Sequence, residues 1–278
     1  MPSAAAGPVA AATSLAASAG LEVRECRVLS ASSTTVVRLL PCDAVARVAP
    51  VARQTAALEV DLALQLEVLG APIAPLDPRV PRRPHRLDGY VTTFWTHCSS
   101  AGAPPLPHEG YAESLARLHR ALREVTVAVP HVTERLQRAS RLLARPDLTP
   151  RLVSADRALL QAVLGEDGDR LRGAAHEQVL HGEPHPGNVL ATPGGAVFVD
   201  WETICRGPVE FDLAHAPAGV EATYPGADPD LLASCRRLAL AVATAWRFDV
   251  EDRLPDGLAL GAAWLEQLRA ARDASGGS

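Results

Sequence analysis

Six polar side chains in residues 179–202, VLHGEPHPGNVLATPGGAVFVDWE, have types and spacings that could do chemistry: His181, Glu183, His185 and Asn188, then Asp200 and Glu202. If 189–192 and 196–200 pair around Pro193-Gly194-Gly195, a register centred on Gly194 sets Asn188 opposite Asp200. Directly opposed residues have Cβ atoms roughly 4.5–5.5 Å apart, close enough for both side-chain oxygens to reach one cation. One carboxylate and one amide oxygen, with room left for water and phosphate, is a set that suits Mg²⁺. A register off by one would put one of the two on the wrong face. Glu183 lies five residues before Asn188, and the prolines of the intervening PHPG stiffen the loop that aims its carboxylate. A rigid loop presenting a carboxylate beside a two-ligand metal site is what phosphorylation of a hydroxyl requires. Taken singly, Asn188 and Asp200 read better as ordinary turn and strand-end residues. His176, His181 and His185 could be taken for zinc ligands, but their spacing fits no strong signature and no cysteine lies near them. Glu202 is either an outer partner of the metal or a solvated strand end.

The elements that must position these residues fall into two groups. LEVRECRVL (21–29), TTVVRLL (34–40) and AVARV (44–48) have strand composition and suggest an antiparallel meander, with SASS (30–33) at its first turn. A helix is predicted over 52–69, with Leu58, Leu62, Leu66 and Leu69 on one stripe and Gly70 placed to end it. After a proline-rich loop, YVTTFW (90–95) reads as another strand. SSAGAPPLP (99–107) is the best linker. Beyond it Tyr111, Leu115, Leu118 and Leu122 share a helical face, with His119 off that stripe as a surface or boundary residue. Further helices are expected near 131–145, 154–164, 229–247 and 257–273. The expected class is α+β: a small antiparallel β-rich lobe with one main helix (1–98), then a larger, mostly helical lobe carrying the hairpin (99–278).

Composition narrows the function. The 278 residues are 47% hydrophobic and 21% charged, as in an ordinary globular protein. All 27 basic residues are arginine, so any part chemistry gives to lysine falls to arginine. A net charge of −5 without a basic run argues against nucleic-acid binding. The five cysteines (Cys26, Cys42, Cys98, Cys205 and Cys235) have no C-x-x-C spacing, which suits a reduced, cytoplasmic protein. The Ala-rich opening MPSAAAGPVAAATSLAASAG lacks a positive start and a leucine-rich core, and reads as a helix or loose tail rather than a signal peptide. No stretch is long and apolar enough to span a bilayer.

H-G-E-P-H-P-G-N-V-L followed by V-F-V-D-W-E resembles the catalytic and metal motifs of the aminoglycoside phosphotransferase family, which includes choline-kinase-like small-molecule kinases. The resemblance implies a bilobal protein-kinase-like fold and transfer of the γ-phosphoryl group of ATP to a hydroxyl of a small, hydroxylated acceptor that a cationic group would suit. Glu183 stands where the family has its catalytic Asp, and Asn188 and Asp200 would hold Mg²⁺. His181 would anchor the loop, and Asp212 in GPVEFDLA (207–214) would brace it. In the first lobe, Arg47 matches the family's phosphate-contacting Lys, and Glu59, eleven residues before Gly70, would be its ion-pair partner. Ser32 and Ser33 of the SASS turn would lie over the nucleotide phosphates, and Phe94, Trp95 and Thr96 would form the hinge that holds adenine. Without the family, Arg47 reads as a surface residue on an edge strand and Glu59 as a solvated helix residue. Antibiotic inactivation and phosphorylation of a metabolite or amino alcohol both fit such a kinase. The Glu183 and Arg47 replacements keep open an alternative, a pseudokinase that binds nucleotide or a partner without turnover.

Overall fold

A computed structural model describes residues 5–100 and 106–276. Of the expected linker 99–107, residues 101–105 lie outside that range. The chain packs as two compact units, Met1–Val127 with Gly187–Glu202, and Ala128–Pro186 with Thr203–Ser278. By packing, therefore, residues 106–127 and the 187–202 hairpin belong to the first unit.

The first unit is built on an antiparallel sheet in the order β1-β2-β3-β5-β4, from β1 (Val23–Ala31), β2 (Thr35–Pro41), β3 (Ala44–Pro50), β4 (His85–Leu87) and β5 (Tyr90–Thr96). Over their first six residues, strands β2 and β3 alternate between buried and half-buried positions. Their buried side chains Val37, Leu39, Ala44, Ala46 and Val48 join Ala12 and Ala16 of helix α1 (Ala6–Ser18) in one core cluster. Residues 6–18 of the Ala-rich opening are thus a helix, whose small side chains allow close approach to the sheet. The other face of β2 and β3 carries Val36, Val45 and Arg47, because successive strand residues point to opposite sides. Since β3 lies in the middle of the sheet, Arg47 is not on an edge strand. Helix α2 (Thr55–Val68) buries Glu59, Val60, Leu62, Ala63 and Leu66, whereas Leu69 is exposed, so the buried stripe is rotated toward Glu59 relative to the leucine pattern. Helix α3 (His108–Leu122) buries Tyr111, Leu115, Leu118 and Leu122 as expected, but it also buries His119, which is not a surface residue. The Tyr111 ring meets Phe198 edge-on at 6.1 Å and so ties α3 to the hairpin of β7 (Val189–Thr192) and β8 (Gly195–Phe198).

In the second unit, α4 (Val132–Leu143), α5 (Ser154–Arg172), α7 (Pro229–Arg247) and α8 (Gly257–Gly276) contribute most of one apolar core. Helix α5 continues eight residues past the expected 164 despite two glycines, because Leu171 is buried and the buried Asp167 holds Arg237 of α7 at 2.6 Å. A short ladder of β6 (Gln178–Leu180) with β9 (Cys205–Gly207) and the one-turn helix α6 (Val209–Leu213) carry too few residues to show periodicity in sequence. They frame the loop that begins at His181.

Candidate active site

A cavity of about 460 Å³ opens on the half-buried face of the first unit's sheet. Leu29, Val36, Val45 and Leu190 give it apolar walls, while Arg47, Asn188 and Asp200 supply polar groups. The hairpin register is offset by one from the expected one: Val189 pairs with Phe198 and Thr192 with Gly195, around a two-residue turn at Pro193-Gly194. Proline fixes φ near −65° at the first turn position, so the left-handed residue that lets the chain rejoin the ladder is Gly195, with φ +109°. Asn188 therefore faces Val199, whose N–H donates to the Asn188 carbonyl at 3.0 Å, and not Asp200. Both residues nevertheless line the cavity. Strand β8 ends at Phe198, and Asp200 has φ +70°, which breaks the alternation and re-aims its side chain.

Arg47 stands among three carboxylates. Its Nε lies 3.5 Å from Glu59 Oε2, and its Nη2 lies 2.9 Å from Asp200 Oδ1 and 3.4 Å from Glu202 Oε1. Burial works against the Arg47 cation, but the attraction of Glu59, Asp200 and Glu202 outweighs it and holds the pKa above the ordinary range. Burial pushes Glu59 above the usual carboxylate range, and Arg47 pulls it partly back. Glu59 is no solvated helix residue; its side chain is 5% exposed. Nor is Glu202 a solvated strand end. It also pairs with Arg53 Nη1 at 2.8 Å and accepts hydrogen bonds from Ser33 Oγ at 3.3 Å and from Thr34 Oγ1.

Arg47 and Arg53 thus face three carboxylates, and of this group Arg47 and Asp200 line the same cavity as Asn188. Asp200 and Asn188 offer oxygen donors of the kind a hard divalent cation prefers. No group of three or more His, Cys, Asp or Glu side chains among the described residues is arranged to hold a metal.

Other expected residues are distributed unevenly about the cavity. Trp95 and Thr96 line it, whereas Phe94 is buried in the cluster that packs on α1. The Thr96 N–H is already donated to Pro75 O at 2.9 Å. Ser30 lines the cavity while Ser32 and Ser33 do not; the Ser32 N–H closes the turn onto Thr34 O at 3.3 Å. Cys98, also in the lining, has its thiol pKa raised by burial.

In the second unit, Asp212 is fully buried, and its two oxygens accept from the backbone N–H groups of His181, at 2.9 Å, and Gly182, at 2.7 Å. His181 is also fully buried, and the Glu183 N–H donates to its Nδ1 at 3.4 Å. Gly182 has φ +93°, and a Cβ there would stand 2.0 Å from Thr203 O, so only glycine fits. Arg135 of α4 donates to Gly182 O at 3.2 Å, Thr203 O at 3.0 Å and Glu183 Oε1 at 3.1 Å. His215 is half-buried as a residue, but its Nε2 is sealed from solvent without a hydrogen-bond partner. Burial, reinforced by the Arg135 cation, lowers its pKa to about 3.

Sequence reasoning passed over Arg135, Arg53 and His215. Arg135 sits on an expected helix, 48 residues before the carboxylate it meets, and no local pattern joins the two.

A family model described as "Phosphotransferase enzyme family" matches residues 15–254. No curated protein matches the chain in sequence. Among solved structures, amicoumacin kinase hAmiN in complex with AMP-PNP, Ca²⁺ and Ami is similar at 11% identity and TM-score 0.70, covering 95% of this chain and 96% of that one. The GDP complex of wild-type aminoglycoside 2'-phosphotransferase-IIIa is similar at 13% identity and TM-score 0.70, covering 95% and 99%. Choline kinase LicA from Streptococcus pneumoniae is similar at 14% identity and TM-score 0.66, covering 95% and 98%. At these identities the likeness concerns the fold, a protein-kinase-like one with an antiparallel sheet lobe and a helical lobe.

Proposed function

Because the chain belongs to the phosphotransferase enzyme family, we propose that it transfers the γ-phosphoryl group of ATP to a hydroxyl of a small molecule. The observation that carries this reading is the cavity in which apolar walls, suited to a planar base, meet Arg47, Asn188 and Asp200. In this reading residues 1–98 form the nucleotide-binding lobe and 99–278 the lobe that takes the acceptor, against the helices after Asp212. Arg47, steadied by Glu59, binds the α- and β-phosphates, as a planar guanidinium grips phosphate through two donors. The turn bearing Ser32 and Ser33 covers the phosphates, and the strand end at Trp95 and Thr96, which line the cavity, borders the adenine. Asn188 and Asp200 would hold Mg²⁺, which would supply neutralisation of the phosphate charge. Glu183 orients the acceptor hydroxyl and takes its proton, while His181 and Asp212 keep the loop in shape. The transition state is largely dissociative, so positioning outweighs base strength, and a glutamate can serve.

Solved neighbours whose names carry amicoumacin, aminoglycosides and choline make hydroxylated amines the first acceptors to test. Cytoplasmic residence, where ATP and reduced thiols coexist, suits the five free cysteines. The deciding experiment incubates the protein with MgATP and a panel of aminoglycosides, choline-like amino alcohols and sugar amines, and looks for products heavier by one phosphate. Glu183→Gln should then lower kcat by a factor of about 10²–10⁴, the range for a lost general base, with nucleotide affinity nearly unchanged. Equal kcat in the two proteins would remove Glu183 from the mechanism. Tight nucleotide binding with no turnover across the panel would favour the binding module without catalysis.

A further inference from the structure

Glu183 has three side-chain torsions and its side chain is 36% exposed, so its carboxylate needs an external hold to keep one position. The side chain of Arg135 is 15% exposed and is fixed on several sides. Its guanidinium lies over the Phe211 ring at 5.6 Å, Nη2 is committed to Thr203 O, and Nη1 is shared between Gly182 O and Glu183 Oε1. The helix that carries it is fixed at its start, where the His131 ring accepts from the Thr133 N–H and pairs with Glu177 at 2.9 Å. A guanidinium presents its donors in a rigid planar fork, so fixing two of its contacts also fixes where the third acceptor must sit.

We propose that Arg135 is the positioning residue for Glu183: one fork clamps the carboxylate to the backbone of its own loop at Gly182 and to Thr203. This rests on the reading of Glu183 as the group that serves the acceptor hydroxyl. Arg135 is not among the residues that line the cavity, and in this proposal it acts only through Glu183. Its removal therefore lowers kcat without weakening nucleotide binding, and the loss depends on the carboxylate being present.

The test compares wild type, Arg135→Met, Glu183→Gln and the double variant, using MgATP with whichever of kanamycin, choline or ethanolamine wild type phosphorylates. Arg135→Met should lower kcat by about 10–100-fold, the scale of an ångström-sized misplacement of a reacting group, with KM for ATP changed less than about twofold. In the Glu183→Gln background the same change should cost less than about twofold, a coupling that neighbours acting as one unit display. Arg135→Lys, which keeps a cation beside Glu183 but loses the planar fork and guards against a methionine variant that does not fold, should still lose most of the kcat that Arg135→Met loses. Equal losses from Arg135→Met in both backgrounds, or wild-type kcat in the folded lysine variant, would overturn the proposal and leave Arg135 without a part in holding Glu183. Wild-type kcat in Glu183→Gln, or no turnover by wild type, would instead remove the reading on which it rests, and the proposal with it.

Discussion

At the scale of single residues, the buried ion pair of Arg47 and Glu59 carries the clearest energetic consequence. Removing one member of such a pair leaves the other charge buried and uncompensated, at a cost of about 3–5 kcal/mol. With side chains 12% and 5% exposed, these two qualify. Arg47→Met should therefore lower stability in urea unfolding by an amount in that range. Adding Glu59→Gln should return part of it, because the stranded carboxylate is then gone. Under the proposed function both variants lose nucleotide affinity, so stability and binding separate within one pair of proteins. If Glu59→Gln worsened the Arg47→Met variant, Glu59 would be held by other partners.

At the scale of elements, the 181–186 loop depends on one glycine and one carboxylate. Asp212, on the single turn of α6, satisfies two backbone N–H groups of the loop, and Gly182 brings that loop against Thr203 O at a distance no Cβ tolerates. Gly182→Ala should destabilise the protein by more than about 2 kcal/mol, since a strained left-handed residue alone costs about 1–3 kcal/mol and a backbone clash adds to it. A melt within a degree of wild type would mean that the loop relaxes freely. The hairpin makes the complementary point. A three-residue turn centred on Gly194 is the simplest reading of Pro193-Gly194-Gly195, but pairing closes around two residues and shifts every partner by one. What brings Asp200 to the cavity is its left-handed backbone and not the pleat.

At the scale of the whole molecule, stability should fall in acid through His215. Its pKa is about 3 in the folded chain, against an ordinary value of 6.5, because burial and Arg135 oppose the cation. Between those values the unfolded chain binds the extra proton, so stability is complete above about pH 6.5 and declines as pH drops toward 3. Each pH unit in that window removes up to about 1.4 kcal/mol through this one group. His215→Asn should flatten the dependence of stability on pH between 4 and 6.5 relative to wild type; parallel curves would show that another group carries the acid sensitivity. Nucleotide binding gives a second whole-molecule readout. At a hundredfold excess over Kd a ligand adds about 2.7 kcal/mol, so MgATP should raise the melting temperature of wild type and not of Asp200→Ala. A shift of equal size without Mg²⁺ would separate nucleotide binding from Asp200.

The amino-acid sequence by itself determined the kind and order of most elements, because alternation in β2 and β3 and the leucine stripe of α3 are local patterns that burial of one face imposes. It also determined the motif, since His181, Glu183, Asn188 and Asp200 lie within one short stretch. Only the tertiary structure decided what each charge meets. Glu59 and His119 look like solvated helix positions until the packing around α2 and α3 closes over them. Glu202 finds Ser33, Thr34, Arg47 and Arg53 about 150 or more residues away, and Arg135 meets Glu183 across 48. Burial of a face is written in periodicity that neighbours in the chain share, whereas pairing of distant charges depends on where separate elements come to rest.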